Sequence, residues 1–287
     1  MIKLIASDLD GTLLNRFHTT DKYILSTIDK AIANNIHFVI ATGRSMQMDD
    51  FALNFNDRPL YLICNNGALI KNEKKEIIYT KTLPIEFIKE TLELFPNIPI
   101  DFIGASKTWV NASKESYLAT FDTEKKKSNK HFLKILNHFQ KGRIYDSEPN
   151  FIEHQEILKM NVRILDSQQK TDFKKHLDNF PSVANLPFAD GIFEITHSEV
   201  NKAAALRIVC DNLQIDYSEV AVFGDGGNDI EMLSEFHHSY APKNANPKTK
   251  VAAKYIIGHS HFYSVPLQIR KIIRNTKKKR STLNWTL

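Results

Sequence analysis

Cysteine is scarce in this sequence. Its 287 residues hold only Cys64 and Cys210, each inside an apolar run. That pattern argues for buried free thiols in a reducing compartment and against a disulfide framework. No apolar run approaches the length of a membrane span. The first short run is cut at Asp8, so no secretory leader is expected. There is no internal repeat and no low-complexity segment, which argues against repeat architectures and compositionally biased linkers. An excess of one charge is missing too: the net charge of +5 is modest, gives no argument for nucleic acid and suits small anionic substrates. What remains is a cytoplasmic enzyme or binding protein, a monomer or weak homodimer, with no nucleic-acid or membrane partner expected.

What is present is ordinary in bulk and distinctive in detail. Hydrophobic residues make up 42% and charged residues 25%, the composition of a globular protein long enough for two compact domains. The chain opens with Ile2-Lys3-Leu4-Ile5-Ala6-Ser7 and then Asp8-Leu9-Asp10-Gly11-Thr12. The apolar run is too short for an ordinary helix and reads as a buried strand. It stops at two carboxylates two residues apart, and Gly11 frees the backbone for a tight turn. Two like charges so close call for a divalent cation, and oxygen-only ligands suit Mg²⁺. Alone, Asp-x-Asp-Gly is equally well read as a polar turn closing a strand.

The rest of the chain bears on that choice. The spacing predicts a helix over Asp21–Asn34, a strand over Ile36–Ala41 ending in Thr42-Gly43-Arg44, a helix over Met46–Phe55, and a strand over Pro59–Cys64 ending in Asn65-Asn66-Gly67-Ala68. A hairpin follows to Leu83. Further on, a helix begins at Asn201 with Lys202 in its first turn. A fourth parallel strand, Glu219–Phe223, ends in Gly224-Asp225-Gly226-Gly227-Asn228-Asp229, and a fifth runs over Ser239–Pro242. Alternating strands and helices with polar residues at the strand ends predict an α/β fold with an open, mostly parallel sheet. Between them, mixed helices and strands from Pro84 to Pro187 form a separate module. It includes helices over Lys114–Phe121 and Asn129–Gln140 and the charge run Glu124-Lys125-Lys126-Lys127, read as solvated. The expected domains are therefore 1–83 and 188–287 as one core, with 84–187 inserted. The basic run Lys277–Arg280 reads as a frayed, solvated end.

In an open parallel sheet, ligands bind outside the carboxyl ends of the strands. The polar residues expected there suit phosphoryl transfer. Asp8 would be the nucleophile, forming an aspartyl-phosphate. Asp10, partly protonated, would give a proton to the leaving alcohol and later take one from water. Asp8, Asp10 and Asp225 would crowd negative charge around Mg²⁺, and Asp229 would orient Lys202 or sit in the outer shell. Lys202, Thr42 and the backbone N–H groups of Leu9 and Gly43 would stabilise the phosphoryl oxygens. Asn228 is a further phosphate-site candidate. Arg44 and Asn66 are candidates for contact with the leaving group. Taken singly, Lys202 reads as a solvated lysine, Thr42-Gly43 as a turn, and Asn228-Asp229 as a helix cap.

The ordered set of motifs resembles the haloacid dehalogenase superfamily of phosphatases. Asp8-Leu9-Asp10-Gly11-Thr12, Thr42, Lys202 and Gly224–Asp229 match its four motifs in order. Ala41-Thr42-Gly43-Arg44, Asn65-Asn66-Gly67-Ala68 and the run from Phe223 to Leu233 resemble its Cof-type branch. The resemblance implies a Rossmann-like core with an inserted type IIB α/β cap between the second and third motifs. It also implies Mg²⁺ as cofactor and hydrolysis of small phosphorylated metabolites, sugar phosphates being the expected class. The cap would choose the substrate. A phosphomutase of the same superfamily and a non-catalytic phosphate-binding protein are the alternatives. The chain departs from the usual pattern at Ala203, at Tyr240–Ala245 and at Ser264-Val265. None of these removes a catalytic group.

Overall fold

The structure, a computed structural model, describes residues 1–45, 53–121, 142–186 and 191–283, with side chains of the last helix as far as Lys277. It divides into two compact units, Met1–Tyr79 with Asn201–Leu287, and Thr80–Val200. Most of the helix expected over Met46–Phe55 lies outside the described residues. So do the helix expected over Asn129–Gln140 and the charge run from Glu124.

The first unit is built on an eight-stranded sheet. Its central strands are β1 (Leu4–Ser7), β2 (His37–Ala41) and β3 (Tyr61–Cys64). β4 (Leu69–Lys71) and β5 (Ile77–Thr80) continue to one edge. On the other side of β1 lie β12 (Val220–Phe223), β13 (His238–Pro242) and the edge strand β14 (Tyr255–Ile257). All pair in parallel from β14 to β3, and β4 pairs antiparallel with β3. Every residue of β1, β3 and β12 is buried, as expected of parallel strands covered on both faces. The helix Lys22–Ile32 starts where Asp21 accepts hydrogen bonds from the Tyr23 and Ile24 amides. It buries Ile24, Thr27, Ile28 and Ala31, one helical stripe. The helix Lys202–Leu213 is capped by Asn201 and sets Ala205, Leu206 and Val209 into the same core as Leu4, Val39 and Val222.

The chain leaves β1 toward β2 and β3 and returns on its other side at β12. The sheet's order therefore reverses at β1, and this is where an open α/β sheet offers a crevice at its carboxyl edge.

The second unit carries a six-stranded sheet in the order β10 (Val183–Asn185), β11 (Ile192–His197), β9 (Lys159–Arg163), β6 (Ile100–Ile103), β7 (Thr108–Val110), β8 (Arg143–Ile144). Neighbours are antiparallel except β7 and β8. Strand β11 pairs with β9 and β10 here, so this unit runs to Val200 rather than ending near residue 187. Its core joins Phe87, Phe102, Phe173 and Phe193. The last helix, Ser264–Leu283, carries the basic run inside a continuous helix instead of a frayed end. Cations at a helix C-terminus are favoured by its dipole.

His176 sits in the second unit's core, its ring stacked on Phe87 with centroids 5.4 Å apart and surrounded by Phe95, Phe173 and Phe180. The Thr91 hydroxyl donates to the Phe87 carbonyl and so accepts from His176 Nε2 at 2.8 Å. Burial lowers the His176 pKa, while Glu90, 3.5 Å from Nδ1, pulls the other way. The unfolded chain then takes up a proton, near pH 6.5, before the folded one does. This group costs nothing above that pH and destabilises the fold as pH falls below it. Melting temperatures from pH 8 to pH 5 should decline less steeply in His176→Leu than in the wild type. Equal slopes would remove His176 as the cause.

Candidate active site

Four polar segments meet at the carboxyl edge of β12, β1, β2 and β3. Directly after β1, the Asp8 amide donates to the Phe223 carbonyl at 2.9 Å, tying the ends of the two central strands together. The chain then makes a wide turn over Leu9–Leu13, closed by the Leu14 amide on the Leu9 carbonyl at 3.0 Å. Gly11 takes φ 78° within it, and a Cβ there would overlap the Asp225 carboxylate. Thr12 donates its hydroxyl to Asp225 Oδ1 at 2.7 Å. The first turn is thus moulded onto the loop that follows β12.

Lys202 opens its helix from beneath this turn. Its side chain is fully buried, and Nζ donates to Asp8 Oδ1 and Asp229 Oδ1, both at 2.7 Å. Burial works against the ammonium, but Asp229 and Asp8 outweigh it and raise its pKa. Asp229 Oδ2 accepts from the Asp225 and Gly226 amides, each at 2.9 Å. Asp229 therefore holds the lysine and the loop with one carboxylate. Asp8 and Asp225 are less well compensated. Burial pushes the Asp8 carboxyl well above the usual carboxylate range; Lys202 pulls it down, and Asp229 and Asp225 push it further up. Burial likewise lifts Asp225 to about 6, against the Thr12 hydrogen bond and with Asp229 adding to the rise.

One carboxylate oxygen each of Asp8, Asp225 and Asp229 lie within 4.8 Å of one another. An oxygen-only set with unneutralised charge fits a hard divalent cation. Asp229 already spends both oxygens on Lys202 and the loop amides, which leaves Asp8 and Asp225 as the carboxylates to hold it.

Asp10 is placed differently from expectation. Its carboxylate lies outside the cluster, clasped by Arg44 through Nε on Oδ2 at 2.8 Å and Nη2 on Oδ1 at 2.7 Å. His18 Nδ1 lies 2.9 Å from the same Oδ1. Burial raises the Asp10 pKa, yet His18 and Arg44 together bring it below the carboxylate range. A partly protonated Asp10 was expected; here the His18 and Arg44 hydrogen bonds favour its ionised form.

Thr42, buried after β2, accepts the Arg44 amide on its hydroxyl at 3.1 Å. Asn66, fully buried at φ 60°, accepts from Asn228 Nδ2 at 2.9 Å, while its own Nδ2 has no hydrogen-bond partner among the described residues. Gly43 lies against the Asn66 amide oxygen, where a Cβ would come within 2.8 Å. The geometry thus joins Thr42, Gly43, Asn66 and Asn228 in one wall. Arg44, expected to face the leaving group, is engaged with Asp10.

Three contributors escaped the sequence reading. Thr12 stood inside a quoted motif but carried no role. His18 lies outside every motif of the sequence. Asn244 donates to the Gly11 carbonyl at 2.7 Å and accepts from the Ser260 amide at 3.0 Å, bracing the first turn from the segment after β13. Nothing in the spacing of Lys243-Asn244-Ala245 signals a partner more than two hundred residues away.

Comparison with known proteins bears on this geometry. The sequence model of the haloacid dehalogenase-like hydrolases matches residues 5–267. YxeH of Bacillus subtilis (strain 168) is 28% identical, covering 95% of this chain and 99% of its own. The 5-amino-6-(5-phospho-D-ribitylamino)uracil phosphatase YbjI of Escherichia coli (strain K12) is 27% identical, covering 96% of this chain and 97% of its own. Among solved structures, a sugar phosphatase of subclass IIB of the superfamily superposes with a TM-score of 0.75 at 22% identity, covering 94% of this chain and 98% of its own. Among the described residues no helix is long and apolar enough to cross a membrane.

Lys202 balances two buried carboxylates, and removing one partner of a buried pair leaves uncompensated charge. Lys202→Met should lower unfolding free energy by about 3–5 kcal/mol, read from urea denaturation at neutral pH. A change below about 1 kcal/mol, the range of surface pairs, would show that the site does not depend on it.

Proposed function

Because the chain belongs to the haloacid dehalogenase-like hydrolases and is a phosphatase of their Cof-type branch, we propose that it hydrolyses small phosphorylated sugars or sugar alcohols with Mg²⁺ through an aspartyl-phosphate on Asp8. The observation that carries the reading is the Asp8–Lys202–Asp229 arrangement beside Asp225. It presents one buried carboxylate, braced by a cation, at the crevice of the sheet.

Asp8 and Asp225 would hold Mg²⁺. When bound, the ion neutralises the clustered carboxylates and the substrate's phosphate oxygens. The steps belong to the side chains. An oxygen of Asp8 attacks phosphorus, the bond from phosphorus to the leaving alcohol breaks, and Asp10, once parted from Arg44 and protonated, delivers its proton to the departing oxygen. Water then attacks the phosphorus of the acyl phosphate. Asp10, now ionised, takes the water's proton, and the Asp8 carboxylate is regenerated. Lys202 keeps Asp8 oriented through both steps. Thr42, the amides of Leu9 and Gly43, and the Asn66–Asn228 pair line the place of the phosphoryl oxygens.

The substrate class rests on the relatives. One is named for a phosphorylated ribityl compound and one is described as a sugar phosphatase. Both names describe a phosphorylated polyhydroxyl compound.

Phosphate release from a panel of sugar and sugar-alcohol phosphates should require Mg²⁺ and cease in excess EDTA. Asp8→Asn should lower kcat by more than about 10³-fold with the fold intact, as loss of a nucleophile does. Full turnover in EDTA would refute the role given to the cation. Near-normal turnover by Asp8→Asn would refute the covalent route.

A further inference from the structure

Between the first turn and the helix Lys22–Ile32 the chain forms a small loop that is closed on itself. The Asn15 carboxamide oxygen accepts from the Phe17 amide at 2.9 Å, the Thr19 amide at 3.2 Å and the Thr19 hydroxyl at 3.1 Å. The Asn15 amide donates to the Thr19 carbonyl at 3.1 Å, and the His18 amide donates to the Asn15 carbonyl at 2.9 Å. His18 itself stands at φ 56°, a left-handed conformation costing about 1 kcal/mol or more for a residue with a Cβ. Its side chain is 57% exposed, so burial does not put it there. What the loop achieves is delivery of one ring nitrogen to Asp10 Oδ1.

The carboxylate so reached is already held by a second segment. Arg44 occupies both of its oxygens. Arg44 is in turn fixed by its amide on Thr42 Oγ1 and by its carbonyl, which accepts from the Asn65 amide at 3.0 Å. Two segments therefore converge on one carboxylate, and both reach its Oδ1. Arg44 binds both oxygens, but as a single group it permits swing about the axis of the pair. The donor at Oδ1 from His18 is the one that remains when Asp10 parts from Arg44 to take up its proton, so the direction of the carboxylate then rests on His18.

We propose that His18 is a positioning residue for Asp10, fixing the direction in which its carboxylate meets the leaving-group oxygen. The inference rests on the reading of Asp10 as the acid–base group. His18 touches neither the phosphorus nor the nucleophile, so its contribution is confined to the proton that Asp10 delivers. That proton matters where the leaving group is an alkoxide. It matters little where a nitrophenolate departs unaided, since general acid catalysis helps in proportion to the basicity of the atom it protonates.

The experiment compares kcat/KM, which reports the first phosphoryl transfer, for an alkyl phosphate such as a hexose phosphate and for 4-nitrophenyl phosphate. Wild type, His18→Ala, His18→Asn and Asp10→Asn are assayed with saturating Mg²⁺, and urea midpoints confirm that each is folded. His18→Ala should lose about 10- to 100-fold on the alkyl ester, part of the 10²–10⁴ that a positioned acid supplies. Its loss on the aryl ester should be at least about tenfold smaller. His18→Asn, whose Nδ2 stands near the place of the ring Nδ1, should regain most of the alkyl activity. Equal losses on the two esters, or failure of asparagine to restore the alkyl ester, would overturn the positioning role. Asp10→Asn separates this inference from the reading beneath it. If Asp10→Asn shows no dependence on the leaving group, the acid–base assignment falls. If Asp10→Asn shows it and His18→Ala does not, only the role of His18 falls.

Discussion

The site depends on one buried ammonium. Lys202 lies with no exposed side-chain surface between the carboxylates of Asp8 and Asp229. An unpaired charge in such a place would be costly, and two unpaired carboxylates would cost more. Each group is tolerable because of the others. Asp229 is in turn fastened to the backbone of the loop after β12, so the lysine connects a helix start, a strand end and a loop. The single positive charge is two short of the three clustered carboxylates, and the raised pKa values of Asp8 and Asp225 express that shortfall. A divalent cation is the complement that such a deficit selects.

Asp10 shows the same electrostatics with the opposite outcome. Two residues from Asp8, it avoids the crowded cluster altogether and turns to Arg44 and His18. Neighbouring carboxylates in one motif thus have separate environments, one electron-rich and one cation-rich. That separation is how two chemically identical groups are assigned different tasks.

Much of the fold was legible because its signals are local. Buried parallel strands such as Leu4–Ser7 and Val220–Phe223 are short apolar runs bounded by turn residues. Caps such as Asp21 and Asn201 stand where helices begin. Lys202 was legible only through family resemblance: a lysine at a helix start is disfavoured by the dipole, and its partners lie 194 and 27 residues away. The state of Asp10 was not legible, because it is set by His18 and Arg44, whose convergence follows from the closed loop at Asn15 and the register of β2. The end of the second unit at Val200 was not legible for a related reason. A strand's sequence shows that it pairs, but not with which sheet.

The reversal of strand order at β1 has a consequence for the chain's history. β1 is made first, and its neighbour β12 is made after the whole of the second unit. At about 5–20 residues per second on the ribosome, the residues from 80 to 200 take on the order of ten seconds to appear. Through that interval β1 and β2 can pair, but the other edge of β1 has no strand to meet it. It presents open backbone donors and acceptors beside the apolar side chains of Leu4, Ile5 and Ala6, the combination that invites pairing with foreign chains. An inserted unit that is compact in its own right shortens the wandering of the segments on either side. The same insertion that divides the sequence can therefore act as a tether, bringing the late strand home to the early one.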